Sequence, residues 1–187
     1  MPILFSDGTS LSTAPSGGPI KERFLLPCDG SSFTTSNGTF TTTNVTGVQG
    51  LGGNNSTTLN GSEISYQPPS GTTLVIYEFI TSFGAGDNGG IWNICLYIDG
   101  NQIVRSGLSA RVSSNGSLPC YFRWGVNIGG TTDYNSGRVD AWTSAKTLLC
   151  RARDYDHNHD QNGNQRNHFQ MGGGGFKKPQ NGITAFC

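Results

Sequence analysis

The sequence predicts an all-β fold, an antiparallel two-sheet jelly-roll sandwich of about eight strands with an extended N-terminal arm. Three observations predict it. Apolar residues recur with a period of two in several separate runs, as half-buried strands require. Turn chemistry built on Gly, Asn and Asp separates those runs. Glycine alone is present in 28 copies among 187 residues, whereas the strong helix formers Ala, Glu, Lys and Met are sparse.

The chain divides by texture near residue 61. Residues 1–61 are a Ser/Thr/Asn/Gly-rich segment interrupted by two apolar pieces, Ile3-Leu4-Phe5 and Phe24-Leu25-Leu26-Pro27-Cys28. So little apolar surface does not offset an ordering cost of roughly 1–2 kcal/mol per residue. The segment therefore reads as an attachment arm ordered by a partner, with Ile3, Leu4, Phe5, Phe24, Leu25 and Leu26 as its anchors. Residues 62–187 read as the sandwich domain.

Within that domain each strand has its own signal. Thr73 to Phe83 is a long β-branched and aromatic run, entered from Pro68-Pro69 and closed by Gly84-Ala85-Gly86-Asp87-Asn88-Gly89-Gly90; it predicts a central core strand. Trp92, Ile94, Leu96 and Ile98 then alternate with Asn93, Cys95 and Tyr97, and Asp99-Gly100 turns the chain into a second hairpin strand over Gln102-Ile103-Val104-Arg105. Cys120, Phe122, Trp124, Val126 and Ile128 share one face of a third run. In a fourth, Leu148, Cys150 and Ala152 point one way, with Arg151 and Arg153 on the wetter side. Gly182 to Cys187 supplies a last strand. Trp92 and Trp124 lie on apolar faces and read as core, and Trp142 reads as a cap on the sandwich edge.

Charge and hydropathy exclude several functions. Charged residues are 13% of the chain and cancel to a formal net charge of zero, so no field draws in nucleic acid or an anionic membrane. No window approaches the roughly 18 consecutive apolar residues of a membrane span. Met1 to Asp7 lacks a basic region followed by an apolar run, which predicts a chain that is not exported. The sequons at Asn37, Asn44, Asn54, Asn55, Asn60 and Asn115 then read as products of an Asn/Ser/Thr-rich composition. Cys28, Cys95, Cys120, Cys150 and Cys187 show no CxxC spacing and read as buried thiols.

Candidate chemistry is thin. Asp154, Asp156, His157 and His159, with Asp160 and His168 after them, form the one cluster with metal-ligand character. Neighbouring Asn158, Asn162, Gly163 and Asn164 make a polar loop the simpler reading, so neither metal nor other cofactor is expected. No serine sits in a nucleophile elbow. The acids fall at turns such as Asp29-Gly30, Asp87-Asn88 and Asp99-Gly100 rather than as a glycosidase pair. Gly172 to Gly175 lacks P-loop spacing. The chain is expected not to be an enzyme.

Several blocks carry a resemblance. Ile64-Ser65-Tyr66-Gln67-Pro68-Pro69-Ser70-Gly71, Tyr77-Glu78-Phe79, Tyr97-Ile98-Asp99-Gly100, Trp142 to Leu148 and Arg151-Ala152-Arg153-Asp154-Tyr155 resemble, in this order, the jelly-roll virion structural proteins of tailed phages of marine bacteria. The likeness spans about residues 62–187. Ile3 to Ser10 is similar to a segment near the starts of phage fibre and appendage proteins. Gly172 to Gly175 departs from the pattern, standing in place of an aromatic-containing turn. The resemblance implies a bacteriophage structural role on the outer virion surface after synthesis in the host cytoplasm. A homotrimer is implied, with the major capsid protein or other virion proteins as partners. It suits a capsid decoration or cement protein, or alternatively a fibre or appendage tip that binds a host receptor or glycan. For the latter, the outward loops would be residues 84–90, 107–118 and 156–166.

Overall fold

Strands form where the alternation is strongest, and their pairing sets which side chains meet. The computed structural model describes residues 3–4, 10–11, 20–51, 56–85, 90–113, 115–154, 168–169 and 180–186. In chain order the first strands are β1 (Ile3–Leu4), β2 (Ser10–Leu11), β3 (Ile20–Pro27), β4 (Ser32–Thr35), β5 (Gly38–Thr41), β6 (Gln49–Gly50), β7 (Thr57–Thr58) and β8 (Ile64–Tyr66). Then follow β9 (Leu74–Gly84), β10 (Gly90–Ile98), β11 (Asn101–Gln102), β12 (Leu108–Val112), β13 (Ser117–Ile128), β14 (Arg138–Val139), β15 (Lys146–Asp154), β16 (His168–Phe169) and β17 (Gln180–Phe186).

Two sheets face each other. One runs β14-β13-β9-β17-β3; the other is built on β10 and β15, with β11 and β12 along the free edge of β10 and β7 and β8 along that of β15. Counting β7 and β8 as one broken strand, the principal strands run first-eighth-third-sixth in one sheet and second-seventh-fourth-fifth in the other. That order is the double Greek key of a jelly roll. Val75, Tyr77, Phe79 and Phe83 of β9 and Trp92, Ile94, Leu96 and Ile98 of β10 are buried between the sheets, so the period-two reading of these runs holds. Cys28, Cys95, Cys120 and Cys150 are buried and no disulfide joins them; Cys187 lies outside the described residues.

The boundary expected at residue 61 does not divide the fold. β3 pairs along β17 from Pro27 opposite Gln180 to Ile20 opposite Phe186, with a bulge near the latter end, so the sheet contains a strand from the supposed arm. Phe24, Cys28, Val45, Leu51 and Leu59 belong to the same core as β9 and β10. The Phe24 ring lies 4.9 Å from Phe33, 5.5 Å from Phe40 and 5.9 Å from Tyr66, centroid to centroid. Phe33 and Phe40 sit on the β4–β5 hairpin, which turns at Ser36-Asn37. The low-complexity texture thus hides a hairpin whose aromatic residues complete the core.

The second hairpin strand also differs. Asn101 and Gln102 pair with β10, but Val104–Ser106 form a 3-10 turn, and the chain rejoins β10 at Leu108 opposite Ile94. Ser106 explains the excursion. Its hydroxyl donates to the Ile103 carbonyl at 2.7 Å and accepts from the Leu96 amide at 2.8 Å, replacing a ladder bond with a side-chain one.

One buried node joins both sheets to the N-terminal region. The Tyr77 hydroxyl of β9 donates to the Ser62 carbonyl at 2.5 Å. The Ser62 hydroxyl donates to the Leu59 carbonyl at 2.7 Å and accepts from the Cys150 amide of β15 at 3.0 Å. Next to it, Cys28 Sγ donates to the Gly61 carbonyl at 3.1 Å. Gly61 has φ +83°, and a Cβ there would stand 2.9 Å from both Cys28 Sγ and Val45 Cγ2. Only glycine fits that turn without strain.

Burial of Phe24 makes a direct test of the fold boundary. Phe24→Ala is expected to cost about 3–5 kcal/mol in urea unfolding, against about 0.5 kcal/mol or less for an exposed surface change; a loss near the surface value would mean that β3 contributes no core. A second test uses pH. Burial pushes the Cys120 thiol up to about 12 and holds the Cys150 thiol and Tyr77 phenol well above their ordinary values of 9.0 and 10.0. Above about pH 9 the unfolded chain therefore releases protons that the folded chain keeps, so stability is full below that pH and falls as pH rises. Melting temperature followed from about pH 8 to 11 should be level and then decline; a level profile throughout would contradict the buried ionisable core.

Candidate functional site

Register decides what the outside of the five-stranded sheet presents. Paired residues put their side chains on the same face. Leu25 stands opposite Gly182, which stands opposite Glu78, which stands opposite Arg123. The next row holds Pro27, Gln180, Ile80 and Tyr121, and the row on the other side holds Arg23, Thr184, Ile76 and Gly125. All three rows lie on the face away from Tyr77 and Phe79, by the alternation of β9.

This outer face mixes exposed apolar residues with the exposed Arg23 and a polar knot at Glu78. Leu25 is 43% and Tyr121 54% exposed, and Ile20 at the end of β3 is 53% exposed. Between Leu25 and Tyr121, Glu78 is only 6% exposed although it lies outside the sandwich. Its carboxylate accepts a short hydrogen bond from the Tyr121 hydroxyl and lies 3.6 Å from Arg123 Nε. The bond to Glu78 raises the Tyr121 phenol above its ordinary value. Glu78 therefore remains satisfied in apolar surroundings, as a buried carboxylate must be.

The second sheet presents a different outer face. Arg151 lies over the Tyr97 ring, 4.8 Å from its centroid, a cation–π contact. Arg153 is exposed, so the expected wetter face of β15 is found. Two open depressions border the β4–β5 region, of 370 and 340 Å³; the larger lies between β5 and β8.

The anticipated anchors scatter. Phe24 is corrected: its ring is spent inside its own core, so it cannot also grip a partner. Leu26 is half-buried against that core, while Leu25 faces outward. Ile3 and Leu4 form a two-residue antiparallel pairing with Ser10 and Leu11, and Phe5 lies outside the described residues. Among the weak metal candidates, Asp154 ends β15 opposite Trp92, and Asp156, His157 and His159 lie outside the described residues. Among the described residues no group of three or more His, Cys, Asp or Glu side chains could hold a metal. Trp142 is buried and donates to the Tyr66 carbonyl at 2.9 Å. Of the candidate outward loops, 107–118 is mostly β12 and the start of β13, residues 86–89 and 114 lie outside the described residues, and so does 156–166.

No protein family matches the chain, and no curated protein does. Among solved structures it is similar to the CBM36-1 domain of a multidomain xylanase from the hindgut metagenome of Trinervitermes trinervoides, at 12% identity and a TM-score of 0.33 over 87% of this chain and 96% of that one. It is also similar to a chain in the structure of infectious bursal disease virus Gx strain, at 7% identity and a TM-score of 0.42. That match spans 100% of this chain and 46% of the viral one. Similarity this distant carries no argument about function, and the jelly-roll assignment rests on strand order. No helix among the described residues is long and apolar enough to cross a membrane.

The absence of a metal cluster among the described residues has a simple check. Excess EDTA is expected to leave the melting temperature unchanged; a clear drop would reveal a bound structural cation.

Proposed function

We propose that the chain is a non-enzymatic structural subunit of a tailed-phage virion, a capsid decoration protein that assembles as a trimer on the outer surface of the shell. The observation that carries this reading is the outer face of the five-stranded sheet. Leu25 and Tyr121 are exposed there on either side of a carboxylate already paired with its own neighbours, and Ile20 is exposed at the far end of β3. A face of this kind loses little on desolvation and gains by apolar burial, as subunit contacts do.

Attachment to the shell falls to the residues before β3. With Phe24 committed to the core, the apolar anchors left for a capsid partner are Ile3, Leu4 and Phe5. A decoration protein that binds only the assembled shell stabilises it by mass action. The resemblance to phage virion proteins supports the setting, and the jelly-roll strand order supports the architecture.

Sedimentation of the purified chain tests the contact face. Leu25→Glu combined with Ile20→Glu is expected to turn trimers into monomers with the sandwich still folded, since both side chains are exposed on the single chain. Imaging of intact particles tests the location. A copy number matched to the capsid lattice is expected, whereas a number tied to tail symmetry would replace decoration with an appendage role.

A further inference from the structure

The 370 Å³ groove between β5 and β8 belongs to neither sheet face and has a composition of its own. β8 is hydrogen-bonded to β15 along one edge, and β5 to β4 along one of its own; the groove lies where β5 and β8 adjoin without pairing. Alternation places Glu63, Ser65 and Gln67 on one wall, on the opposite face of β8 from buried Ile64 and Tyr66. Thr39, Thr41 and Thr43 alternate in the same way on the other wall, out of phase with Phe40. The hairpin is fixed beside β8 by Asn37, whose amide donates to the Pro68 carbonyl at 2.8 Å and the Gln67 carbonyl at 3.2 Å. Glu22 holds it too, accepting from the Ser36 amide at 2.8 Å and the Tyr66 hydroxyl at 2.7 Å.

The chemistry of the lining selects a ligand class. No Lys, Arg or His lines the groove, so phosphate, sulfate and carboxylate ligands would meet no counter-charge. The hydroxyls, amides and the single carboxylate offer donors and acceptors close together. Glu63 is exposed and, among the described residues, has no hydrogen-bond or ion-pair partner. A carboxylate so placed accepts two hydroxyl hydrogens from adjacent carbons, the arrangement a pyranose presents. The volume falls within the roughly 300–1,000 Å³ of small-ligand sites.

We infer that this groove binds a neutral saccharide, with Glu63 accepting from two vicinal hydroxyls and Ser65 and Thr43 completing the contacts. The inference stands apart from the assembly reading, because the groove uses neither the outer face of the five-stranded sheet nor the residues before β3. The full chain is titrated by calorimetry with maltotetraose, xylotetraose and mannotetraose, and with tetragalacturonate as the anionic counterpart. At least one neutral tetrasaccharide is expected to bind, with about tenfold loss in Glu63→Gln and an unchanged melting temperature. Thr43→Val is expected to weaken the same sugar without unfolding the hairpin. Failure of all three neutral sugars to bind at about 10 mM, equal binding by Glu63→Gln, or preference for tetragalacturonate would each overturn the proposal. Particle occupancy and oligomeric state are untouched by these outcomes, so a failure here is distinguishable from a failure of the assembly reading.

Discussion

The hydrogen bond from Tyr77 to the Ser62 carbonyl is the constraint on which the two sheets depend for their mutual position. Tyr77 is fully buried at the centre of β9, and its hydroxyl needs an acceptor there. Ser62 supplies one and passes the connection to β15 through its own hydroxyl. Because Gly61 touches Cys28 and Val45, the same point also fixes the residues between β3 and β8. Close packing already resists displacement of the sheets, and a hydrogen-bonded node inside it adds a directional constraint on their alignment. The jelly roll owes its packed interior to burial and its alignment to this chain of polar contacts.

That alignment decides what the two outer faces carry. Gly182, between Leu25 and Glu78 on neighbouring strands, adds no side chain to its row. The carboxylate there can lie low among its neighbours. Tyr121 and Arg123, two residues apart on β13, both reach it. The second sheet instead pairs Arg151 with an aromatic face. One exterior thus carries exposed Leu25 and Tyr121 around a paired carboxylate, with Arg23 beside them, while the other carries Arg151 over an aromatic ring and the exposed Arg153. The groove between β5 and β8 is a third environment, and it exists because the β4–β5 hairpin is held by side chains rather than by a ladder.

Much of the fold was legible in the sequence wherever alternation was unbroken. Leu74 to Phe83, Trp92 to Ile98, Cys120 to Ile128 and Lys146 to Asp154 announce their faces because every second residue is large and apolar. The region before residue 62 concealed its role. Phe33 and Phe40 are single aromatics in a background of threonine, so no run of apolar residues marks them, and the short apolar piece Phe24-Leu25-Leu26 reads equally well as an anchor for a partner. The Asn37-Gly38 pair at the end of the Ser36-Asn37 turn, with Phe33 and Phe40 on either side, was the signal that could have revealed the hairpin. Val104 and Arg105 misled in the opposite way. Their β propensity was overridden when the Ser106 hydroxyl took the place of a main-chain partner. The candidate face was less legible still, since Glu78 inside an apolar run reads as core or error until register brings Tyr121 and Arg123 beside it.

The pairing of β3 with β17 sets the order in which the protein can be made. Phe24 lies opposite Ile183, and β17 is also the partner of β9, so the five-stranded sheet keeps a gap in its middle until the last strand arrives. During translation the ribosome releases β3, β9 and β13 long before the segment that joins them. Contacts so distant in sequence fold slowly, and the waiting strands hold open edges of the kind that recruit other chains. A chain that stops short of Gln180 therefore loses the bridge between β3 and β9, not merely its tail.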